Sequence, residues 1–280
     1  MIPNGIFPIS LPDCHGIFIA KDRTMRFYDF PDAYDLFYTE QYLEDCERFY
    51  KEIFGKKKYK DMLDCAVGTG QMLIPLAQLG YNVTGTDINN KMIRRAGINF
   101  AKYKLFANLN VSDFRNLKDN VKQQYDCVLC TGNSIGHVKN EELPSVIQSM
   151  DSLIRPGGMF YMDSKNWENI LKTKKRFYLY NPIIRDRGRV NYVQVWDYIK
   201  NEDEVAIMFN YLITEELDNK IVSKRQFYEV YFPFTIDMIK EQLSALKYKN
   251  INVCKLGDAT VKDIDNIDWY ALTAEKPIGI

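Results

Sequence analysis

The amino-acid sequence predicts an α/β protein built on a doubly wound, mostly parallel sheet, with an antiparallel β insertion late in the chain. Three observations lead to this prediction. A short apolar stretch at residues 62–67 runs into Gly68-Thr69-Gly70 and then into a helical pattern at residues 72–79, which is the order strand, tight turn, helix. Strand and helix patterns alternate as far as residue 167, and such alternation produces a parallel sheet. Residues 173–232 instead show β-rich alternating runs separated by turn residues, typical of antiparallel strands.

The glycine turn indicates a ligand that approaches the backbone closely. Gly68 and Gly70 permit torsions that a Cβ forbids and leave space beside the chain. A dinucleotide site would carry a third glycine three residues after Gly70, but Leu73 stands there. Asp64 precedes the turn, and a carboxylate at that place suits an ammonium-bearing ligand better than a pyrophosphate. The turn therefore favours a nucleoside that also carries an ammonium group.

Further candidate residues follow the next predicted strands. The second strand ends in Asp87, with Ile88 beside it, and a carboxylate there can accept two hydrogen bonds from ribose hydroxyls. A third strand is predicted at residues 104–107. Asp113 and Phe114 come after it, and they suit the amino group and the ring face of an adenine. Because ligands of open parallel sheets bind at the carboxyl ends of the strands, these residues predict a nucleoside site at one sheet edge.

Composition narrows the classes of function. The 280 residues carry 37 basic and 37 acidic side chains, so no overall field attracts nucleic acid or an anionic membrane. No apolar run reaches the length of a membrane span. The six cysteines are scattered, and Cys127 with Cys130 lies in an apolar strand without a second pair, so no metal site is predicted. We expect a soluble cytoplasmic protein that binds neither nucleic acid nor membrane, and the sequence leaves a homo-oligomer open.

The chain divides into three predicted parts. The first part is an N-terminal arm and helical cap (1–55). The second is a nucleoside-binding Rossmann-like domain (56–167 and 233–280), and the third is an antiparallel insertion within it (168–232) that is expected to cover a second ligand as a lid. The prolines of residues 1–33 predict irregular structure, and a helical stripe begins near Tyr34 and ends at Gly55. Tyr28, Tyr34 and Tyr38 precede the main stripe and are candidates to face a ligand.

With these elements placed, residues 28–275 resemble the glycine N-methyltransferase family, which includes the glycine/sarcosine methyltransferases. The matching segments are residues 63–70, residues 125–137, Ile154-Arg-Pro-Gly-Gly158, Asp163-Ser-Lys-Asn-Trp167 and Tyr231-Phe-Pro233. The first and third are general to class I S-adenosylmethionine-dependent methyltransferases, whereas Gly-Asn-Ser-x-x-His is more specific. The resemblance implies the seven-stranded sheet of class I enzymes, and S-adenosylmethionine as cofactor with S-adenosylhomocysteine as product.

The resemblance also implies roles for individual residues. The cofactor would be lined by Tyr34, Asp64, Ala66, Gly68, Gly70, Asp87, Ile88, Asp113, Phe114, Thr131 and His137. The acceptor would be contacted by Asn133, Lys165, Tyr178 or Tyr180, Tyr211 and Tyr231. Some of these tyrosines are alternatively ordinary packing residues of the insertion, since aromatic residues favour strands. His137 is alternatively a catalytic base, although methyl transfer requires no dedicated one.

The sequence departs from the family's pattern at two places, one that concerns the acceptor and one that concerns the methionine part of the cofactor. Lys165-Asn166-Trp167 replaces the family's Arg-Asn-Tyr, and an ammonium cannot grip a carboxylate with two parallel hydrogen bonds. We therefore expect poor activity on glycine and a larger acceptor held partly by aromatic contacts, unless Lys165 is a solvated loop residue. The arginine that the family offers to the methionine carboxylate has no clear equivalent here.

The function predicted from the sequence is methyl transfer from S-adenosylmethionine to a small-molecule acceptor, most readily an amine nitrogen. Two alternatives remain at this stage. One is an O- or S-methyltransferase acting on a small aromatic or thiol metabolite, and the other is a non-catalytic S-adenosylmethionine-binding module. Methylation of nucleic acid is disfavoured by the balanced charge and by Thr131-Gly-Asn-Ser134 after the fourth strand, where an Asn/Asp-Pro-Pro-Tyr/Phe loop would be expected.

Overall fold

A computed structural model describes residues 25–200 and 205–279. The predicted N-terminal arm up to residue 24, with His15, lies outside the described residues. The helices α1 to α7 are Pro31–Tyr34, Glu40–Phe54, Ile74–Gln78, Asn90–Lys102, Leu143–Asp151, Trp167–Thr173 and Ile236–Ala245. The strands β1 to β13 are Met25–Arg26, Asp61–Asp64, Asn82–Asp87, Asn108–Val111, Tyr125–Cys130, Ile154–Lys165, Phe177–Leu179, Ile183–Arg185, Gly188–Lys200, Val205–Leu217, Lys220–Tyr231, Lys249–Lys255 and Trp269–Glu275. Short 3-10 turns connect several of them, including Asp35–Phe37 and Ser134–His137.

The first sheet has seven strands in the order β12-β13-β6-β5-β2-β3-β4. All pairs are parallel except those of β13, which runs antiparallel to both of its neighbours. Both faces are covered, as a parallel sheet requires. Along β5, Cys127 and Leu129 belong to one apolar cluster while Val128 and Cys130 belong to the other. The predicted doubly wound, mostly parallel seven-stranded sheet is confirmed.

Helix starts follow the residues that favour them. Thr39 accepts a hydrogen bond from the backbone N–H of Tyr42 at the start of α2, and Asn89 accepts one from Lys91 at the start of α4. Gly55 ends α2, as its sequence predicts. Asp35 lies between α1 and α2 and receives hydrogen bonds from Arg95 (2.5 Å) and Asn99 (3.0 Å) of α4. These bonds hold the Asp35–Phe37 turn, and the tyrosines on either side of it, against the first sheet's helices.

The second sheet is formed mainly by the segment predicted as an antiparallel insertion. Strand β9 pairs with β10 and β10 with β11, all antiparallel, while β7 and β8 both pair with β9. The N-terminal strand β1 joins this sheet by pairing parallel to β11. The inward side chains of the second sheet include Tyr192, Phe209 and Tyr211. They share one apolar cluster with Val128 and Phe160 of the first sheet. The two sheets therefore pack on each other through a common core.

The predicted position of the third strand is wrong, and the structure also contains elements and element limits that the sequence pattern does not predict. The third strand is Asn108–Val111 rather than residues 104–107, because Lys104 adopts a left-handed turn conformation and β3 pairs with the later residues. Helix α5 ends at Asp151, and β6 begins at Ile154, so the Pro-Gly-Gly segment lies inside a bulged strand rather than before it. The sequence pattern does not predict α6 or β8.

No helix in the described ranges is both long and apolar enough to cross a membrane.

The turn after β2 generates a stability prediction. Gly70 has a φ of +82°, and a Cβ added there would lie 3.0 Å from the ring of Phe100 and 3.2 Å from Ala96. Gly80 has a similar φ of +89° but no atom within 4 Å of the equivalent position. Both Gly→Ala changes should cost about 1–2 kcal/mol for the left-handed backbone. Gly70→Ala should lose roughly a further 1–3 kcal/mol through overpacking.

Urea unfolding of the two variants measures this difference directly. Equal losses in Gly70→Ala and Gly80→Ala would show that contact with α4 is not what requires a glycine at the turn.

Candidate active site

Two adjoining cavities open near the carboxyl ends of the parallel strands. The first, of about 610 Å³, lies beyond β2 and β3 and is called here the strand-end cavity. The second, of about 470 Å³, lies between the first sheet, α2 and the second sheet and is called the tyrosine cavity. Tyr28 and Tyr34 line both cavities, so the two spaces meet at these rings.

The structure distributes the predicted site residues between the two cavities. The strand-end cavity is lined by Tyr34, Ala66, Gly68, Asp87, Ile88, Asp113, Phe114 and His137. The tyrosine cavity is lined by Asn133, Lys165, Tyr178, Tyr180, Tyr211 and Tyr231, and again by Tyr34. Residues predicted for the cofactor and for the acceptor thus fall into separate but adjoining spaces.

Asp87 is the central carboxylate of the strand-end cavity. Its two oxygens accept backbone N–H bonds from Gly68 (2.9 Å) and Asn89 (2.8 Å), which fix the side chain at the end of β3. Burial raises the pKa of Asp87, and these two N–H donors oppose the rise. Asp113 is paired with Arg115 at 2.6 Å; burial favours its neutral form, but the guanidinium outweighs this and lowers its pKa. The cavity therefore offers two oriented carboxylates.

Three predicted cofactor residues line neither cavity. Asp64 is 1% exposed, and its oxygens accept hydrogen bonds from the Thr131 hydroxyl (2.6 Å) and the Ala66 N–H (3.0 Å). Burial raises the pKa of Asp64 to about 6 against these donors. Asp64 and Thr131 therefore join the ends of β2 and β5 beneath the cavities, and Gly70 packs against α4. Their positions support the strand ends rather than present groups to a ligand.

Asn133 stands at the wall of the tyrosine cavity in a left-handed conformation, with φ of 66°. Its Oδ1 accepts hydrogen bonds from the Ser164 hydroxyl (2.8 Å) and the Lys165 N–H (3.1 Å). These two bonds assign Oδ1 to the protein and leave Nδ2 as the donor. Nδ2 is buried and has no hydrogen-bond partner in the described part of the chain. A buried unpaired donor is costly, and such a donor at a cavity wall is suited to a ligand atom.

Lys165 lies inside the tyrosine cavity and is only 5% exposed, so it is not a solvated loop residue. Its Nζ lies 4.5 Å from the ring centroid of Trp269 and 5.3 Å from those of Tyr178 and Trp196. Phe209 adds a fourth ring at 5.7 Å. No carboxylate of the described residues lies within ion-pair distance of this Nζ. Burial lowers the pKa of Lys165 to about 7, partly offset by the more distant Asp268.

Asp163 is a cavity residue that sequence reasoning did not assign to the site. It lies two residues before Lys165 on β6, so both side chains leave the same face of the strand. Its carboxylate accepts the Gly132 N–H at 2.7 Å and the Tyr161 hydroxyl at 3.3 Å. Burial raises its pKa to about 7. The sequence did contain a signal for Asp163, because an acid and a lysine two residues apart on one strand lie on the same face of the sheet.

Tyrosine hydroxyls connect the two cavities. Tyr28 Oη lies 2.8 Å from Tyr231 Oη and 3.2 Å from Nε2 of His137, and Tyr231 Oη lies 3.2 Å from Tyr211 Oη. Burial, with a smaller effect of Arg26, lowers the pKa of His137 to about 4, so this imidazole is neutral near pH 7. These distances join the predicted Tyr211, Tyr231 and His137 into one hydrogen-bonded row.

Comparisons with known proteins indicate a methyltransferase. Residues 62–158 match the family model described as a methyltransferase domain. Over 257 residues the chain is 23% identical to glycine/sarcosine N-methyltransferase of Parasynechococcus marenigrum (strain WH8102), covering 89% of this chain and 83% of that protein. Other curated glycine and glycine/sarcosine N-methyltransferases match over less than half of their own length.

Solved structures of methyltransferases share this fold, as two examples illustrate. An S-adenosylmethionine-dependent methyltransferase from Clostridium acetobutylicum ATCC 824 superposes with a TM-score of 0.69 at 17% identity, covering 89% of this chain and 98% of its own. The sugar N-methyltransferase KedS8 from Streptoalloteichus sp ATCC 53650 gives a TM-score of 0.65 at 14% identity, covering 98% and 100%. With the family match and the sheet order, these findings identify the chain as a class I S-adenosylmethionine-dependent methyltransferase.

The unpaired lysine generates a prediction about stability. In the unfolded chain Lys165 titrates near pH 10.4, whereas in the folded protein it loses its proton near pH 7. Between these values the unfolded state binds more protons than the folded state, so the free energy of unfolding rises with pH over this range. Lys165→Met should therefore raise the free energy of unfolding at pH 6 by roughly 1–3 kcal/mol. The gain should shrink as the pH rises towards 9.

Urea titrations of wild type and Lys165→Met at several pH values measure this. Lys172→Met, an exposed lysine of α6, is the control and should show no such dependence. A pH-independent difference for Lys165→Met would mean that its ammonium is not destabilised in the folded cavity.

Proposed function

We propose that this enzyme transfers the methyl group of S-adenosylmethionine to an amine nitrogen of a small molecule. The supporting observation is the pair of adjoining cavities that share Tyr28 and Tyr34. One carries the oriented carboxylates and ring expected around a nucleoside, and the other carries a buried amide donor, tyrosine oxygens, the carboxyl group of Asp163 and the amine of Lys165. The names of the relatives, which include glycine/sarcosine and sugar N-methyltransferases, support nitrogen as the acceptor atom.

The strand-end cavity is the proposed site of the adenosine part. Asp87 would accept the ribose hydroxyls, with Ile88 beside them, and Asp113 with Phe114 would receive the adenine. Gly68 lines this cavity with a φ of +54°, a left-handed conformation that favours glycine, and a Cβ there would make only ordinary contact with Tyr34, at 3.6 Å. The residues present therefore fit the cofactor. When bound, S-adenosylmethionine supplies a methyl group activated by a sulfonium.

The chain's own residues would act mainly by alignment. Methyl transfer is an in-line displacement. Much of the rate enhancement therefore comes from holding the nucleophile in line with the bond that joins the methyl carbon to the departing sulfur. Tyr28 and Tyr34, at the junction of the cavities, would border the transferred group. Their ring faces and oxygens attract a cationic centre without a full negative charge. Burial away from water disfavours an ammonium, which helps to keep the acceptor amine in its neutral, nucleophilic form.

Groups in the tyrosine cavity would hold the acceptor. The carboxylate of Asp163 and the oxygen of Tyr211 would accept N–H bonds from its amine. Nδ2 of Asn133 would donate to an oxygen of the acceptor. The ammonium of Lys165 lacks a counter-charge, so an anionic group on the acceptor would supply one. We propose an acceptor larger than glycine, with an amine, an anionic end and apolar surface for the rings around Lys165.

The antiparallel sheet is proposed to act as the lid of this site. Strands β7, β10 and β11 supply Tyr178, Tyr211 and Tyr231 to the tyrosine cavity, opposite the strand ends of the first sheet. The proposed division of the chain remains an N-terminal cap, a cofactor-binding sheet and this covering sheet. Strand β1 modifies that division, because the N-terminal segment also contributes to the cover.

The cofactor assignment predicts the effect of removing Asp87. Asp87→Ala should weaken binding of S-adenosylhomocysteine by about 1.5–3 kcal/mol, as for hydrogen bonds to a charged group. Isothermal titration calorimetry measures this, with Asp237→Ala on the exposed surface of α7 as the control. Unchanged affinity in Asp87→Ala would remove Asp87 from the cofactor site.

The acceptor assignment is tested with labelled S-adenosylmethionine and matched pairs of acceptors. Benzylamine and 4-(aminomethyl)benzoate present the same amine without and with a carboxylate, and glycine, phenol and benzyl thiol complete the panel. We expect labelling of the amines, with the aminobenzoate preferred over benzylamine and over glycine. The preference between the paired amines should fall about tenfold from pH 6 to 8, because Lys165 loses its charge near pH 7.

Lys165→Arg is the matched variant for this experiment. A guanidinium stays charged over this range, so the preference should lose its pH dependence. Labelling confined to the phenol or the thiol would contradict nitrogen as the acceptor atom. A pH-independent preference in the wild type would contradict an anion site at Lys165.

A further inference from the structure

Part of the tyrosine cavity is not used by the proposed acceptor contacts. One side of its wall is formed by α2, with Cys46, Phe49 and Tyr50, and by the turn that follows β12, with Leu256 and Gly257. Tyr50 is buried, and its hydroxyl has no hydrogen-bond partner in the described part of the chain. A ligand that extends to this side of the cavity would supply one.

This side of the cavity opens to solvent. The side chain of Asp45, on α2, is 47% exposed, and Gly257 is exposed on the turn after β12, and both line the cavity. A Cβ built on Gly257 would have no atom of the described residues within 4 Å apart from its chain neighbours. Lys165 and Tyr211, by contrast, are buried inside the cavity. The cavity therefore has an opening between α2 and this turn, called here the α2 mouth.

Two backbone hydrogen bonds define the borders of the α2 mouth. The N–H of Ala259 donates to the carboxylate of Glu52 at 3.4 Å, which ties the turn to α2 on one side. Asp45 lies about two helical turns, or about 10 Å, before Glu52 on the same helix. The N–H of Leu256 donates to the backbone oxygen of Trp269 at 3.2 Å. Because the ring of Trp269 also contacts Nζ of Lys165, the mouth lies beside the aromatic rings around that lysine.

The cofactor cavity opens elsewhere. The strand-end cavity reaches the surface at Ile88, 65% exposed, and at Arg115, which follow β3 and β4. In the first sheet β12 is at one edge and β4 at the other, with β3 beside it. Neighbouring strands are about 4.8 Å apart, so β12 and β3 are separated by roughly 24 Å. Of the described wall residues the two cavities share Tyr28 and Tyr34 alone, so a nucleoside in the strand-end cavity leaves the α2 mouth open.

We propose that the acceptor enters and leaves through the α2 mouth, and that the end remote from its amine extends through this mouth into solvent. The identity of the acceptor rests on the proposed function, whereas the mouth is a feature of the protein alone. An amine at Asp163 and an anionic group at Lys165 would place the rest of the molecule against Trp269 and Leu256, at the opening. The acceptor is then the amine-bearing end of a longer molecule, because the cavity volume sets no limit beyond the mouth. It also exchanges while the cofactor stays bound.

Thiol labelling tests the mouth without any acceptor. Cys46 lines the cavity next to Asp45 in the chain, and methyl methanethiosulfonate labels a thiol at a rate that depends on access. We expect Asp45→Trp, which places a ring in the opening, to slow labelling of Cys46 about tenfold. Asp45→Asn removes the charge without bulk, and Glu44→Trp adds the same ring to the exposed surface of α2 outside the cavity. Both controls should stay within about twofold of wild type, with Cys46 identified by peptide mass spectrometry.

The cofactor product provides the second arm of this test. Saturating S-adenosylhomocysteine should change the labelling rate of Cys46 less than about twofold, because it occupies the other cavity. Protection of Cys46 by S-adenosylhomocysteine would show that both ligands share one entrance and would overturn the proposal. Equal rates in Asp45→Trp and Glu44→Trp, or no labelling in the wild type, would overturn it as well. Asp45 contacts Gln41 and Arg48 on the exposed surface of α2, so its variants should fold as the wild type does.

A pair of acceptors tests the passage of a longer molecule. 5-(Aminomethyl)isophthalate and its mono-amide with a long polyethylene glycol amine carry the same benzylic amine and each keep a carboxylate, but the polymer is too large for the cavity. With labelled S-adenosylmethionine, the wild type should methylate the conjugate with a kcat/KM within about tenfold of the free compound. Asp45→Trp should lower kcat/KM for the conjugate about tenfold relative to Asp45→Asn, with unchanged affinity for S-adenosylhomocysteine.

The outcomes of this comparison separate the mouth from the acceptor chemistry. Methylation of the free compound but not of the conjugate by the wild type would overturn the proposal, because the acceptor would then be enclosed. If neither compound is methylated, the proposed acceptor chemistry fails, and the labelling of Cys46 still decides whether the mouth exists.

Discussion

The site depends on one buried interaction, the hydrogen bond between Asp64 and Thr131. Parallel strands bring their carboxyl ends together, and there the backbone leaves the sheet and loses its ladder partners. A carboxylate buried at that place is costly unless donors satisfy it. Thr131 at 2.6 Å and the Ala66 N–H at 3.0 Å do so, and they join the end of β2 to the end of β5. The turn carrying Gly68 and the turn carrying Asn133 are held relative to one another by this bond.

A second set of buried polar groups lies in the tyrosine cavity, and some of these groups have no hydrogen-bond or ion-pair partner among the described residues. Nδ2 of Asn133 has no partner and Lys165 has no carboxylate within reach among the described residues. In a protein selected for stability alone these would be replaced by apolar side chains. Their persistence inside a cavity, next to satisfied groups such as Asp64, is what distinguishes a binding surface from a polar core. The aromatic rings around Lys165 reduce its cost while excluding water from it.

The tyrosines of the site have two distinct roles. Their rings fill the space between the two sheets and pack edge to face, as Phe27 against Phe37 and Tyr28 against His137 also do. Their hydroxyls, forced into this apolar space, must find partners, and they find each other. The same sequence feature therefore supplies both the core of the second sheet and a hydrogen-bonded polar row. Packing and recognition are not alternatives for these residues.

Much of the cofactor side is encoded locally in the sequence. Gly68, Asp87 and Phe114 lie at or just after turns that end predicted strands, and parallel pairing brings such turns to one edge whatever the rest of the chain does. The strand boundaries were less predictable, because β4 and β6 take their limits from their neighbours in the sheet rather than from their own residues. Asp64 and Gly70, which are also predicted for the cofactor, contact Thr131 and α4 in the structure, and those partners cannot be read from the local sequence.

The acceptor side was decided by tertiary structure. Lys165 and Asp163 look like ordinary polar residues at a strand's end. Only the packing of Trp196 and Trp269 around Lys165, and the burial of Asp163, make their charges costly. Likewise, nothing in the sequence shows that Tyr28 meets Tyr231 and Tyr211, since Tyr28 lies 203 residues before Tyr231. The sequence by itself determined the sheet and the class of cofactor, because these follow from local periodicity and turn chemistry. Burial, hydrogen-bond direction and the pKa of a lysine depend on what lies around a side chain, and that exists only once the two sheets have packed.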